Sequence, residues 1–306
     1  MKFESFIARR YFSSGRFFVT VSTWITILGV TLGVAVVCFV MSLHNGFESE
    51  IRSRLLGTTA HISIFPSGQT FIDDYSEVVD QLNSMDGVVA ASPFIYYKAG
   101  VSTPSASDGI IVRGIDAELE ALTSNVKRDI YAGEYSFEER VFDDDTLPGI
   151  LLGRQLAERL GTFLDQSLVL YAMRGEDIRK RSIPRMAKFY VSGIFETGMF
   201  EFDGQLAYIS LAQAQDLFKT GDVVTGIHLK LDDIYMAPEV APLIDGLLDY
   251  RFDVVPWNIL HKNLFSWIEF EKKILFLGFI LIVLVAGFSI ISTLVMTTME
   301  KRAEIG

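Results

Sequence analysis

Charge is missing from two long stretches of this chain. No Asp, Glu, Lys or Arg occurs from Phe17 to Phe47, and none from Ile274 to Met299. A helix rises about 1.5 Å per residue, so roughly 20 apolar residues cross the hydrocarbon core of a bilayer, and both stretches are long enough to span it. Cysteine is reduced to Cys38, inside the first stretch. The polar segment between the two runs must therefore fold without disulfides, by burying a core, which its length of roughly 200 residues permits. The chain's four histidines, His44, His61, His228 and His261, are scattered, with no H-E-x-x-H or other metal-ligand spacing. No G-x-x-x-x-G-K-[ST] loop is present to cradle a nucleotide, and no G-x-S-x-G elbow to hold a nucleophile. Asp143–Asp145 and Asp232–Asp233 read as solvated loops rather than metal sites. Catalysis by this chain alone, a bound cofactor and a resident metal are not expected.

What is present gives the order membrane helix, outside domain, membrane helix. The apolar core of the first run, Val19 to Leu43, is too long for a signal peptide, and no small-x-small cleavage site follows it. Lys2, Arg9, Arg10 and Arg16, opposed only by Glu4, place the N-terminus in the cytoplasm, and an even number of spans returns the C-terminus there. Residues 44–273 carry 21 Lys and Arg against 35 Asp and Glu. That acidity argues against nucleic acid or an anionic membrane surface as a partner.

Residues 1–18 read as a cytoplasmic interfacial segment, with Phe3, Phe6, Ile7 and Tyr11 on one helical face. The first span is expected over 19–43, where Gly29 and Gly33 form a G-x-x-x-G pair suited to packing against another helix. The second is expected over 271–299. Both continue as stalks: Phe47, Ile51 and Leu55 keep helical spacing after the first, and Trp257, Leu260, Leu264 and Trp267 before the second. Trp257, Phe265, Trp267 and Phe270 suggest an aromatic belt.

The outside domain, 44–270, opens with the alternation Ala60, Ile62, Ile64, a helix face of Val78, Leu82 and Met85, and a strand near Val88–Tyr97. It closes with a matching unit: Ile227, Leu229 and Leu231 alternate, Val240, Leu243, Ile244 and Leu247 form a helix face, and Phe252–Val255 is a strand. Two β-α-β units separated by other sequence predict a split α+β sandwich, residues 59–115 and 225–257, with an inserted β-rich subdomain over 116–224. In the insert, the loop RGEDIRKRSIPRMA (174–187) gathers basic residues around Pro184. It is either a solvated hairpin tip or a docking loop for an acidic soluble partner.

The C-terminal stretch EKKILFLGFILIVLVAGFSIISTLVMTTMEKRAEIG (271–306) resembles the second span and following cytoplasmic segment of the lipoprotein-releasing permeases, the LolC/LolE family of ABC transporters, within the wider MacB/FtsX-like permease superfamily. ARRYF (8–12), ITILGVTLGVAVV (25–37) and NGFESEIRSRLLGTTAHISI (45–64) are similar to the same family's first span and the start of its domain. LLGRQLAERLG (151–161), VSGIF (191–195) followed by Gly198, Glu201 and Asp203, and WNILHKNLF (257–265) fit internal blocks. Asp165-Gln166 replaces the family's usual Gly-Asp turn, and Ser289 stands at its usual Asn. Family members continue into two more membrane helices, so a C-terminally truncated chain is expected.

The resemblance implies a MacB-like periplasmic core and a multi-pass protein of the bacterial inner membrane. It implies pairing with a second permease, homologous or identical, and with a cytoplasmic ABC ATPase dimer, so that ATP hydrolysis belongs to a partner and the chain is a transport subunit rather than an enzyme. Residues 300–306 would begin a coupling helix, with Glu300, Lys301, Arg302 and Glu304 meeting the ATPase. Acylated lipoprotein cargo would enter a cavity near Met41, Leu43, Phe47, Leu264 and Phe265, and leave with a periplasmic carrier docked at Pro184 and Arg185. Membrane lipids surround the spans. Efflux permeases of the MacB type and cell-division permeases of the FtsX type share the plan, and a two-span receptor with a sensor domain is a further alternative.

Overall fold

The computed structural model describes residues 17–142, 145–172 and 185–305. Of the interfacial segment expected over 1–18, residues 1–16 lie outside the described residues and Phe17 and Phe18 begin α1. Along the chain, α1 (Phe17–Thr58) leads into β1 (Ile62–Pro66), α2 (Tyr75–Asn83), β2 (Val88–Ser102), β3 (Ser107–Ile115), α3 (Ala117–Thr123), β4 (Ile130–Gly133), β5 (Glu139–Phe142), β6 (Asp145–Gly153), α4 (Arg154–Leu160), β7 (Ser167–Ala172), β8 (Arg185–Phe195), α5 (Phe200–Asp203), β9 (Leu206–Ser210), α6 (Leu211–Phe218), β10 (Gly226–Leu231), α7 (Ala237–Leu247), β11 (Phe252–Pro256), α8 (Trp257–Leu260) and α9 (Lys262–Ile305). Two compact units result: a helical one, up to Glu50 and from Asn263, and a globular head, residues 51–262.

The head holds two lobes built on one shared strand. The first lobe is an antiparallel sheet in the order β11-β1-β10-β2. With α2 joining β1 to β2 and α7 joining β10 to β11, this is the split β-α-β topology. The sequence reason is the period-two pattern: Ile62 pairs with Leu229 and Ile64 with Ile227, and all four are fully buried. Each such side chain stabilises the fold by about 1.5–3 kcal/mol.

The second lobe is a closed barrel. Beyond residue 94, β2 pairs with β3, and hydrogen bonding continues through β9, β6, β8 and β7 back to β2. Closure removes the sheet edges that an open insert would expose. Alternate residues fill the inside, with Leu168, Leu170 and Ala172 of β7 facing Ala99 and Val101 of β2 and Ile110 and Val112 of β3, all buried. The expected seam between residues 115 and 116 is therefore displaced into β2, because this 15-residue strand serves the sandwich with one half and the barrel with the other. Period-two patterning cannot reveal that a strand changes partners midway.

Two further differences are physical. The helix face expected from Val240, Leu243, Ile244 and Leu247 is not the one α7 buries: the sheet is met by Ala237, Ala241, Ile244 and Leu248, while Leu243 and Leu247 are exposed. Small alanines let the helix approach the sheet closely, and the larger apolar residues are left outside. Trp257 is not part of an interfacial belt, since its ring is buried in the head and Nε1 donates to the Ile234 carbonyl at 3.0 Å. The helical spacing expected from Trp257 onward is interrupted at His261, between α8 and α9.

Among the residues quoted from family blocks, Asp203 is buried and accepts three hydrogen bonds, from Thr197 N at 2.7 Å, Thr197 Oγ1 at 2.8 Å and Gly198 N at 2.9 Å. It closes the loop before α5. Gly133 ends β4 at φ +81°, with the Ser192 carbonyl and the Gly193 Cα occupying the place of a Cβ. Overpacking and left-handed strain add, so Gly133→Ala is expected to destabilise the head by about 3 kcal/mol. In a unit of this size that lowers the melting temperature by roughly 6–12 °C. An unchanged melting curve would contradict the packing described here.

Candidate functional site in the paired long helices

α1 and α9 run unbroken over 42 and 44 residues. Each contains a segment apolar enough to cross a membrane, Ile27–Glu50 with mean hydropathy 2.2 and Ser266–Met296 with mean hydropathy 3.0. At 1.5 Å per residue the shorter of these reaches about 36 Å, which exceeds a hydrocarbon core of about 30 Å.

The less exposed positions of α1 recur at Val30, Gly33, Val37, Val40, Met41, His44 and Glu48, and those in the first half of α9 at Ile268, Glu271, Leu275 and Phe279. This three-then-four spacing marks one face on each helix. At one end of these faces the two helices meet through polar side chains. Lys272 Nζ donates to Glu48 Oε2 at 2.8 Å, and Glu271 Oε1 lies 4.0 Å from His44 Nδ1. His44 is buried, as is Ile268 beside Glu271. His44 Nε2 has no hydrogen-bond partner among the described residues. Elsewhere the apolar surface is open: only 6% of the first apolar window and none of the second is buried within the chain. The arrangement is a polar clasp at the end of two otherwise uncovered apolar rods.

Of the residues expected to line a cavity, Met41 lies on the clasp face three residues before His44, whereas Leu43 and Phe47 are 64% and 62% exposed on the flank. The side chains of Leu264 and Phe265 lie outside the described residues. So do those of Glu300, Lys301, Arg302 and Glu304, although the α9 backbone remains helical through Ile305. Pro184 is likewise outside, and Arg185 is exposed at the start of β8, opposite Ala172. A Cβ added at Gly29 or Gly33 would meet nothing within 4 Å, so neither glycine packs against another element among the described residues. The clasp residues His44, Glu48, Glu271 and Lys272 were not singled out from sequence. A signal existed: two polar residues four apart follow one apolar run, and two adjacent charges precede the other.

An exposed pair such as Glu48–Lys272 contributes about 0.2–1 kcal/mol, so its importance lies in geometry. Reversing Glu48→Lys places two ammonium groups together and is expected to separate the helix ends. Adding Lys272→Glu restores an attractive pair. Electron–electron distances between spin labels at Asn45 and Glu269 should lengthen in the single variant and return in the double one. Equal distances in all three proteins would show that the clasp holds nothing.

The head contains a second polar cluster, in which Glu120 and His228 are buried and Arg113 is half-buried. Glu120 of α3 is 0% exposed, with Oε2 3.9 Å from His228 Nδ1 of β10 and accepting from Thr123 Oγ1 at 3.3 Å. The Arg113 guanidinium of β3 lies 5.7 Å from the rings of Phe94 and Tyr208 and 5.9 Å from that of Tyr96. Glu120 Oε1, Arg113 Nε and Ser92 Oγ are buried with no partner among the described residues. Burial opposes ionisation of Glu120, but His228 and Arg113 outweigh it and hold the carboxyl down at about 2. Burial, with Arg113 nearby, pushes His228 below its ordinary value, so the imidazole is neutral near pH 7. The cluster sits where the sandwich strands β2 and β10 meet the barrel strand β3, which fits a structural joint better than a reaction centre. No group of three His, Cys, Asp or Glu able to hold a metal occurs among the described residues.

Residues 23–246 match the family described as the MacB-like periplasmic core domain. The lipoprotein-releasing system transmembrane protein LolC of Neisseria meningitidis serogroup B is 30% identical over 308 residues, which cover 99% of this chain and 72% of that protein. The lipoprotein-releasing system transmembrane protein LolE of Haemophilus influenzae is 26% identical over 288 residues, covering 91% of this chain and 66% of that one. Among solved structures, the periplasmic region of MacB from Actinobacillus actinomycetemcomitans aligns with a TM-score of 0.43 at 12% identity, over 69% of this chain and 94% of that chain.

Proposed function

The chain belongs to the LolC/LolE family of lipoprotein-releasing permeases, within the superfamily that carries the MacB-like periplasmic core domain, and on that premise we propose that it is a multi-pass permease subunit of the inner membrane that extracts acylated lipoproteins and passes them to a periplasmic carrier. Its partners in this reading are a second permease subunit, homologous or identical, and a cytoplasmic ABC ATPase dimer that supplies the work. The observation that carries the proposal is the alignment itself, which runs through first helix, head and second helix at 30% identity rather than through the head alone.

The physics of the cargo explains why an external energy source is needed. Each buried CH₂ of an acyl chain holds the lipoprotein in the bilayer by about 0.8 kcal/mol, so extracting several chains far exceeds thermal energy. The chain has no nucleotide loop of its own, in keeping with an engine in a partner. Two apolar rods left uncovered within the chain, joined by a polar clasp at one end, suit a surface that must face lipid, a partner permease or acyl chains. Met41 on the clasp face, with Leu43, Phe47, Leu264 and Phe265, is proposed to line the acyl-chain path. Arg185 and Pro184 are proposed to receive the carrier.

The test is reconstitution of the protein with its proposed ABC ATPase partner and a second permease subunit in proteoliposomes loaded with an acylated lipoprotein. The lipoprotein is expected in the soluble carrier fraction only with hydrolysable ATP. Transfer at the same rate with a non-hydrolysable analogue, or retention of the lipoprotein under all conditions, would overturn the proposal.

A further inference from the structure

Helix α7 carries two apolar stripes, and the fold uses one. Ala237, Ala241, Ile244 and Leu248 face the sheet. Met236, Val240, Leu243 and Leu247 repeat the same four-three-four spacing one position earlier in the chain. Met236 is 44% exposed, Leu243 66% and Leu247 39%, and Val240 is half-buried. Two exposed tyrosines bracket the stripe: Tyr235 precedes it, and Tyr250 returns over its end, where its hydroxyl lies within van der Waals reach of a Cβ placed on Gly246. Isolated exposed leucines are ordinary, but a contiguous stripe with aromatic ends on one helix marks an interaction face.

The surroundings define what fits it. From residue 231 to 250 there are five carboxylates, Asp232, Asp233, Glu239, Asp245 and Asp249, and no Lys or Arg. The nearest exposed cation after the helix, Arg251, is engaged with Asp74 at 3.3 Å. The four-three repeat is the spacing that interlocks with another helix. A second copy of the same helix would set carboxylates against carboxylates, and an anionic lipid surface would be repelled likewise. We infer that the outer stripe of α7 is a docking face for an amphipathic helix with basic flanks, carried by a protein other than a second copy of this chain. The face belongs to the head alone and is independent of the cargo that the transporter moves. An occupant about 14 residues long, roughly four turns, covers it.

The probe is a fluorescent peptide of about 18 residues, with leucine at heptad a and d positions and lysine at the flanks, and a counterpart with glutamate at the flanks. Binding is read by anisotropy on the full chain in zwitterionic nanodiscs, and by hydrogen–deuterium exchange of residues 236–250. The lysine peptide is expected to bind saturably, to slow exchange in this segment and to weaken with salt. Leu243→Ser with Leu247→Ser should weaken it about tenfold or more, as loss of central apolar contacts does. Because both sites are exposed, the head should melt as the parent does, and Glu239→Lys with Asp249→Lys offers a second variant that keeps the leucines and inverts the charge preference. Equal binding by parent and both variants, equal binding of the glutamate peptide, or no binding would overturn the inference. So would concentration-dependent protection of 236–250 without any peptide, which would identify a second copy as the occupant.

Discussion

Glu120→Ala is expected to destabilise the head by about 1–3 kcal/mol, because it removes an enclosed carboxylate and leaves the polar groups that face it, Thr123 Oγ1 and His228 Nδ1, without it. Glu120 is 0% exposed on α3, with its carboxylate facing His228 of β10. Glu120→Gln keeps the shape and the contact with Thr123 but not the charge, and should cost less than the alanine variant. The pH dependence has a definite sign. Glu120 is held at about 2, below its ordinary 4.5, so its contribution is complete above about pH 4.5 and is lost as pH falls towards 2. His228, lowered from 6.5, acts in the same direction: below about 6.5 the unfolded chain takes up the proton first, and acid favours unfolding. His61, held at about 4 by burial and by Lys230, adds to this, since its Nδ1 accepts from Leu231 N at 3.1 Å and cannot do so when protonated. Denaturant unfolding at pH 7.5, 5.5 and 4 should show steadily falling stability in the parent. Glu120→Ala as stable as the parent at pH 7.5 would show that the enclosed carboxylate contributes nothing to the fold.

Replacing Glu300, Lys301, Arg302 and Glu304 together by alanine is expected to reduce ATP-driven lipoprotein release to the level seen without ATP, while ATP hydrolysis by the partner continues. A short charged helical segment just inside a membrane can transmit force only through ion pairs and packing against a partner. The α9 backbone is helical through Ile305, so it offers a stiff path from these positions into the apolar segment. Alanine favours helix, so the variant removes charge without breaking the rod. Release at the parent rate would refute the coupling assignment. Loss of release together with loss of ATPase association would place these residues in assembly rather than in force transmission.

The parts of the fold that were legible from residues alone are those where one local pattern has one meaning. The two charge-free runs are helices, and the alternations at Ile62 and Ile64 and at Ile227 and Leu229 are paired strands of one sheet. Patterns with two meanings mislead. α7 has two apolar stripes, and periodicity favoured the larger side chains over the alanines that the sheet selects. β2 belongs to two lobes, which only the pairing partners reveal. Trp257 resembled a membrane anchor because it precedes an apolar run, yet its indole is tied to Ile234 within the head. The clasp of His44, Glu48, Glu271 and Lys272 and the polar cluster of Arg113, Glu120 and His228 each join residues more than 100 positions apart or on different elements. A single sequence contains no term that couples such positions.

The proposed topology has two membrane-crossing helices that hold the head on the periplasmic side, with the drive supplied from the cytoplasm. Its most direct test is labelling of a single cysteine, Glu77→Cys on the exposed side of α2, in a Cys38→Ser background, with a membrane-impermeant maleimide applied to cells whose outer membrane alone is permeable. Full labelling before the inner membrane is opened is the predicted result. Labelling that occurs only after lysis would put the head in the cytosol and contradict the account.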